Sequence, residues 1–450
     1  MGVLLALVAL PGRAAADGTT APGPSGSAAP ALWQPRGTPL AGAATTADAP
    51  AMRPAVTYQD SIKVGESRFY GVTLDDRASA AVSVFAVPPA GTRVSYGDGL
   101  ELTLQSPDGD QCDSAEAHFG DDGDPRPVGT AVSRLITGDS SDACQDANEY
   151  TLEVHRTSAG TSDPGPWPLE LRYVAEPGLT EGAPAPSAPA TSADGGATGT
   201  ASPTPLLVGT PHQAAGGPSF ETAAAVRTGI WKDRVLPGET RFYKVPVDWG
   251  QQATVFADFS NAQVVDASAY VPGGVRLSAY SPVRELIDGE DKSYQGAPAS
   301  LGEQLAPVAY GNRAADDDDV AAARYAGWYY FAVTVHPGVA QAVSGAVPVT
   351  LRVQVTGTAQ PPPAYDGDPS AAGIGVDAHD LASADGTADG GSGTDSGALR
   401  FLAFAALGAG TVLLLTLAVW FALARRRPAA SADTVTAPPQ QPGYGPPGGW

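Results

Sequence analysis

Two stretches of the chain are near-copies of each other: GESRFYGVTLDD from Gly65 and GETRFYKVPVDW from Gly238. A repeat this specific restricts the fold to one that can be built twice from a single unit. Within each copy the apolar residues alternate. Tyr70, Val72 and Leu74 share one face of the first; Tyr243, Val245 and Val247 share one face of the second, with Lys244, Pro246 and Asp248 opposite. Alternation with period 2 is the pattern of a half-buried strand. Three further blocks recur in the same order. Leu100 onward matches Val275 onward, Glu149 matches Trp328, and Trp167 matches Val347. The spacing drifts only from 173 to 180 residues. These blocks are rich in aromatic and β-branched residues, which suit a pleated surface buried on one side. No amphipathic helix of convincing length separates them. The pattern predicts an all-β chain with two antiparallel β-sandwiches in tandem. Gly65 and Gly238 mark turns ahead of the repeated strand. Pro246 has no N–H to donate, so its strand is expected at an edge or at a bulge.

Gly 54 and Pro 42 exceed a fifth of the 450 residues, and they are clustered. The composition divides residues 55–178 and 219–357, the two sandwiches, from residues 17–54, 179–218 and 358–400, which read as disordered linkers and a stalk. Phe401 to Ala424 contains no charge. At about 1.5 Å per residue it is long enough to cross a hydrocarbon core of about 30 Å as one helix. Arg425, Arg426 and Arg427 follow at once as a stop-transfer signal, which places residues 425–450 in the cytoplasm as a disordered tail. Residues 1–16 read as a signal peptide with a short apolar core, cleaved between Ala16 and Asp17 after an A-x-A site. Its basic start is missing, so the true start codon is expected upstream. The expected topology is single-pass type I, with the bulk of the chain outside the cell. Cys112 and Cys144 are then expected to form a disulfide in an oxidising compartment.

The net charge is −22; residues 17–400 carry −25, because Arg13, Arg425, Arg426, Arg427 and Asp433 together contribute +3. Such a surface excludes nucleic acid, whose recognition needs clustered Lys and Arg. It also disfavours adhesion to anionic lipid.

The glycine turn, the RFYKVPV strand, and the later set Gly327, Tyr329, Tyr330 and Val333 resemble the bacterial pre-peptidase C-terminal domain family. The resemblance implies a non-catalytic, jelly-roll-like sandwich of the kind appended to secreted enzymes and surface proteins. The first copy departs from it, with Asn148 at the position of Gly327. The whole layout also resembles actinobacterial single-pass surface proteins. Some of these carry a von Willebrand factor A domain, whose D-x-S-x-S metal motif is interrupted here by Tyr270.

Motifs for catalysis are absent: there is no H-E-x-x-H, G-x-S-x-G or Walker sequence. His118, His155, His212, His336 and His379 are scattered. The best candidates for specific chemistry are acidic. Asp108, Asp110, Asp113, Asp121 and Asp124 crowd one region, and Asp316 to Asp319 form a run in the second copy. Such oxygens could hold calcium, which takes six to eight ligands, although EF-hand spacing is missing. The reading is a non-catalytic binding or scaffold protein of the cell envelope, without a resident cofactor unless calcium binds, and with an envelope partner unnamed by the sequence. The alternatives are an accessory subunit of a membrane or envelope complex and a cryptic hydrolase.

Overall fold

The computed structural model describes residues 29–120, 123–137, 143–183 and 209–385. The signal segment with Ala16 and Asp17, the apolar stretch 401–424 and Arg425, Arg426 and Arg427 lie outside the described residues. Among the described residues no helix is long and apolar enough to cross a membrane.

The first copy runs through β1 (Thr38–Pro39), β2 (Ala51–Met52), β3 (Val56–Ile62), β4 (Ser67–Leu74), β5 (Ser79–Ala86), β6 (Gly99–Gln105), β7 (Gln111–His118), β8 (Val128–Arg134), β9 (Asn148–Thr157) and β10 (Trp167–Glu176). These form two five-stranded sheets, β1-β3-β10-β5-β8 and β2-β4-β9-β6-β7. The second copy runs through β11 (His212–Gln213), β12 (Ala224–Ala225), β13 (Gly229–Val235), β14 (Thr240–Val247), β15 (Gln252–Phe259), β16 (Gln263–Val264), β17 (Val275–Tyr280), β18 (Leu286–Lys292), β19 (Ala299–Gln304), β20 (Gly327–Val335), β21 (Val343–Ser344) and β22 (Val347–Thr356). Its main sheets, β11-β13-β22-β15-β19 and β12-β14-β20-β17-β18, repeat the first copy strand for strand. The short pair β16–β21 and helices α1 (Asp318–Ala322), α2 (Val339–Ala342) and α3 (Ala378–Ala384) are additions. The long strands pair antiparallel, as expected. The two-residue strands that open each copy pair parallel to their neighbours.

The repeated motif is a clamp. In each copy a tyrosine points into the core and donates to an aspartate ten residues earlier: Tyr70 to Asp60 at 2.8 Å, Tyr243 to Asp233 at 2.6 Å. The same carboxylates accept from Gly42 N and Gly216 N, both at 2.8 Å. Arg68 and Arg241 donate to the carbonyls of those glycines, also at 2.8 Å, and each pairs with the glutamate two residues earlier. The motif therefore ties the incoming N-terminal segment of each copy across its own sheet. Glycine is required where the segment crosses the tyrosine ring: a Cβ on Gly42 or Gly216 would sit 2.6 or 2.7 Å from ring carbons. Gly65 and Gly238 adopt φ of +65° and +86°, as their turns demand. Pro246 is buried near an edge. Phe242 and Lys244 direct backbone groups away from β20, toward residues 217 and 226. Pro246 continues that side past the reach of β12, where no N–H is needed.

The segments expected as linkers are partly built into the fold. Residues 29–54 supply β1 and β2 and bury Trp33. Residues 209–218 supply β11. Residues 358–385 wrap the second copy. Gln360 N donates to Trp249 O, Ile374 bridges Gly327, the Trp328 indole donates to Asp380, and Arg227 pairs with Asp385. Their Ala/Pro/Gly content resembles linker, but a few anchoring side chains decide the outcome.

These anchors also join the copies. The outer face of the β5–β10 sheet meets the outer face of the β14–β20 sheet. Trp33, Phe85, Phe220, Phe242, Tyr280 and Tyr330 form one buried cluster between them. Ring centroids lie 4.7–5.7 Å apart, mostly edge to face, as aromatic quadrupoles prefer. β5 and β20 are consequently buried on both faces over nearly their whole length.

Candidate binding cleft

Around the aromatic cluster the join is polar and charged. β10 presents Glu170 and Glu176 on its outer face, both nearly inaccessible. Glu170 accepts from Arg284 at 2.9 Å, from the Trp33 indole at 3.1 Å and from Arg36 N at 3.1 Å. Glu176 accepts twice from Arg313, at 2.9 and 3.2 Å, and from Tyr365 at 2.7 Å. Arg324 reaches the other way, to Ser133 at 2.8 Å, while pairing with Glu285 of its own copy. A carboxylate buried this deeply is tolerable only when its lone pairs are taken up by cations and N–H groups. Arg284 holds its place with φ at +67°, a conformation that costs a non-glycine residue energy.

At one end of the join the copies part and leave a cavity of about 590 Å³, within the usual range of ligand pockets, roughly 300–1,000 Å³. Its walls are the strap Ala29–Pro35, the start of the β5–β6 loop (Val87–Gly91), the approach to β8 (Asp124–Pro127) and Pro237, Gly238 and Pro337 of the second copy. Ten of its lining residues are prolines, which makes the wall stiff and poor in donors. Polar side chains are few: Gln34, Asp124, Arg126, Thr240 and Thr334. No serine, cysteine, lysine or histidine lines it. Such a cleft suits an apolar or extended ligand and offers no nucleophile with an adjacent base.

The residues singled out from sequence lie elsewhere, with one exception. Cys112 and Cys144 are disulfide-bonded, with Cα atoms 5.7 Å apart. Asp108 and Asp110 are exposed near the β6–β7 turn. Asp113 is spent on backbone: its carboxylate accepts from Ser114 N and Ser133 N, both at 2.7 Å, while burial pushes its carboxyl above the ordinary range. Asp121 lies outside the described residues. Asp124 is buried at the cleft wall. In the run Asp316 to Asp319, Asp317 caps α1 by accepting from Asp319 N and Val320 N. Among the described residues no group of three candidate ligands is spaced to hold a metal ion. An acidic cluster of which the sequence singled out only Asp319 surrounds Glu303 on β19. Burial first, then Asp288, Glu290 and Asp319, push its carboxyl up to about 8.

A Ser–His contact exists away from this cleft. Ser67 and His155 are cross-strand neighbours 3.1 Å apart on β4 and β9. Their sheet face is the one that the second copy leaves uncovered. His118 bonds Glu116 and Gly97 O, and His336 accepts from Gly338 N.

No protein-family model matches the chain, and no curated protein matches it. Solved structures similar to parts of it include the pre-peptidase C-terminal domain of collagenase from Bacillus anthracis. The identity is 14%, over 28% of this chain and 94% of that one, with a TM-score of 0.18. Another is the N-terminal CBM22-1–CBM22-2 tandem domain of Paenibacillus barcinonensis Xyn10C. The identity is 13%, over 67% of this chain and 86% of that one, with a TM-score of 0.18. Similarities at this level bear on none of the residues described above.

Proposed function

We propose that the chain is a non-catalytic, membrane-anchored binding or scaffold protein displayed on the outside of the cell. The observation that carries this reading is how the buried charged groups are used. Glu170, Glu176, Arg284, Arg313 and Arg324 all lie between or beside the copies, and each is engaged in holding them together. The cleft that remains is largely apolar, proline-walled and without serine, cysteine, lysine or histidine. A structure that fixes two sandwiches as one block and leaves a preformed apolar cleft supports recognition rather than turnover. Display rests on the sequence: the cleavable leader, the apolar stretch 401–424 and the arginines after it. The finer kinship, to pre-peptidase C-terminal domains in an actinobacterial-type surface protein, rests on the motif around Gly238 to Val247 and belongs to the same proposal.

Protease treatment of intact cells tests display. The region 29–385 is expected to be digested or released while the cytoplasmic tail survives, and complete protection of the region overturns the reading. Replacing the apolar stretch and tail by an unrelated anchor separates an ectodomain function from that of an accessory membrane subunit. Function retained after the swap places recognition in the sandwiches.

A further inference from the structure

The loop after β5 and its counterpart after β15 share a feature that neither the core nor the join uses. Tyr96 is 74% exposed and Tyr270 is 71% exposed, the highest among the large hydrophobic residues described. Tyr96 lies four residues before Leu100, and Tyr270 five before Val275, the start of the matched block in each copy. The other tyrosines that match between copies, Tyr70 with Tyr243 and Tyr150 with Tyr329, are buried. Two exposed aromatics at corresponding points of diverged copies need an explanation other than packing.

The loop of Tyr96 is built to hold its side chain out. Asp98 is fully buried, and its carboxylate accepts from Ser95 N at 2.9 Å and Ala159 N at 2.7 Å. Asp98 N donates back to Ser95 O, closing a turn with Tyr96 and Gly97 at its centre and Gly97 at φ +78°. Thr157 donates to Gly97 O. In the second copy Val271, next to Tyr270, is buried, while Val265 N donates to Ala342 O. The backbone carrying Tyr96 is thus pinned by hydrogen bonds, and Tyr270 is carried next to a buried residue. Both loops flank the cleft. The first begins at its wall, and the second ends at Gly274, whose carbonyl accepts from His336 beside the cleft residue Pro337.

We propose that Tyr96 and Tyr270 are paired stacking platforms for a neutral polysaccharide. A tyrosine ring offers an apolar face for the C–H face of a pyranose and a hydroxyl at its rim. Polar partners for sugar hydroxyls stand close in sequence or space. Ser95, next to Tyr96, shares a hydrogen bond with Thr161, and Asp266 and Ser268 precede Tyr270. The strong negative charge repels polyanions, which excludes an acidic polymer. Two like platforms on one rigid block fit a ligand that repeats the same group, and engaging both raises affinity without new contacts. This proposal rests on the reading of the chain as a non-catalytic binding protein and names the chemistry of its ligand.

Co-sedimentation of the full-length chain, in detergent, with insoluble β-1,4-glucan, β-1,3-glucan and α-glucan tests it. At least one polymer is expected to carry the protein down. Tyr96→Ala and Tyr270→Ala should each weaken binding about tenfold, the double variant should abolish it, and Tyr→Trp at either site should preserve it. Both sites are exposed, so the melting temperature should not move. No sedimentation with any of the three polymers, or binding unchanged by the alanine variants, overturns the proposal. So does a photo-crosslinker at position 96 that captures a protein and no glycan on intact cells, an outcome that leaves the binding reading standing. Protease accessibility of the surface, tested separately, decides the display reading.

Discussion

The two copies share one frame but differ in what their equivalent faces meet. In the repeated RFY, the tyrosine is core in both: Tyr70 and Tyr243 are inaccessible. The phenylalanine before it is half-exposed as Phe69 and buried against Trp33 and Phe220 as Phe242. On β9 the outward residues are Thr151, Glu153 and His155; on the equivalent β20 they are Tyr330, Ala332 and Thr334. On β5 they are Ala81, Ser83 and Phe85; on the equivalent β15 they are Thr254, Phe256 and Asp258. Duplication supplied two identical sandwiches, and divergence of alternate residues on one sheet of each made them fit face to face. The lesson is that the inner face specifies the fold and the outer face specifies the assembly.

The copies also close the crossovers before β9 and before β20 differently. In the first, the disulfide is assisted by Arg134, which donates to the carbonyls of Cys144, Gln145 and Asp146. In the second, α1 and buried Asn312, donating to Pro307 O and Ala323 O at 2.9 Å, do the same work. Both retain a tyrosine that donates to the carbonyl four residues upstream: Tyr150 to Asp146 at 2.6 Å and Tyr329 to Tyr325 at 2.7 Å.

Phe242→Ala against Phe69→Ala is the sharpest way to break the comparison. The first should cost about 3–5 kcal/mol and the second under about 1 kcal/mol, read by denaturant unfolding. Equal costs would mean that the join contributes nothing. Replacing both cysteines by serine should cost about 3–4 kcal/mol, as expected for a loop of this length. The loss should appear as faster hydrogen exchange in residues 55–178 and leave 219–357 unchanged. Glu303→Gln should stabilise the second copy by on the order of 2–3 kcal/mol at pH 8 and not at pH 4, read by thermal melts across pH. The sign follows from the raised carboxyl. Stability is full below about 4.5, where the group is protonated in both states, and is lost as pH rises through about 8. Tyr70→Phe and Tyr243→Phe should each cost about 1–2 kcal/mol. Their near equality, measured in the same chain, would show that the clamp is the part of the motif that divergence left alone.

Much of this frame is legible in the sequence, because the alternation in Tyr70–Leu74 and Tyr150–Val154 is a local property of a strand with one wet face. The join is not read that way. Tyr329 to Val333 runs apolar without a break, the mark of a strand covered on both sides, but nothing local says by what. The ordered parts of the expected linkers escape for a related reason. Their composition is that of a flexible chain, and only isolated large residues, Trp33, Tyr365 and Ile374, find pockets far away in sequence. The pairing of Cys112 with Cys144 needs no such distant knowledge, since only two cysteines exist. The cleft belongs to the join and is hidden with it, and the Tyr96 and Tyr270 loops show as matched only after the strands on either side are aligned.

The wrap of residues 358–385 determines how the molecule would bear a mechanical load. Tension entering at Asp385 does not pull straight on a β-sheet. It first meets the pairing of Asp385 with Arg227, then the indole of Trp328 held by Asp380, then Ile374 against Gly327, and at Tyr365 it reaches Glu176 of the other sandwich. The C-terminal run would thus act as an extensible leash that yields stepwise while both sandwiches keep their shape.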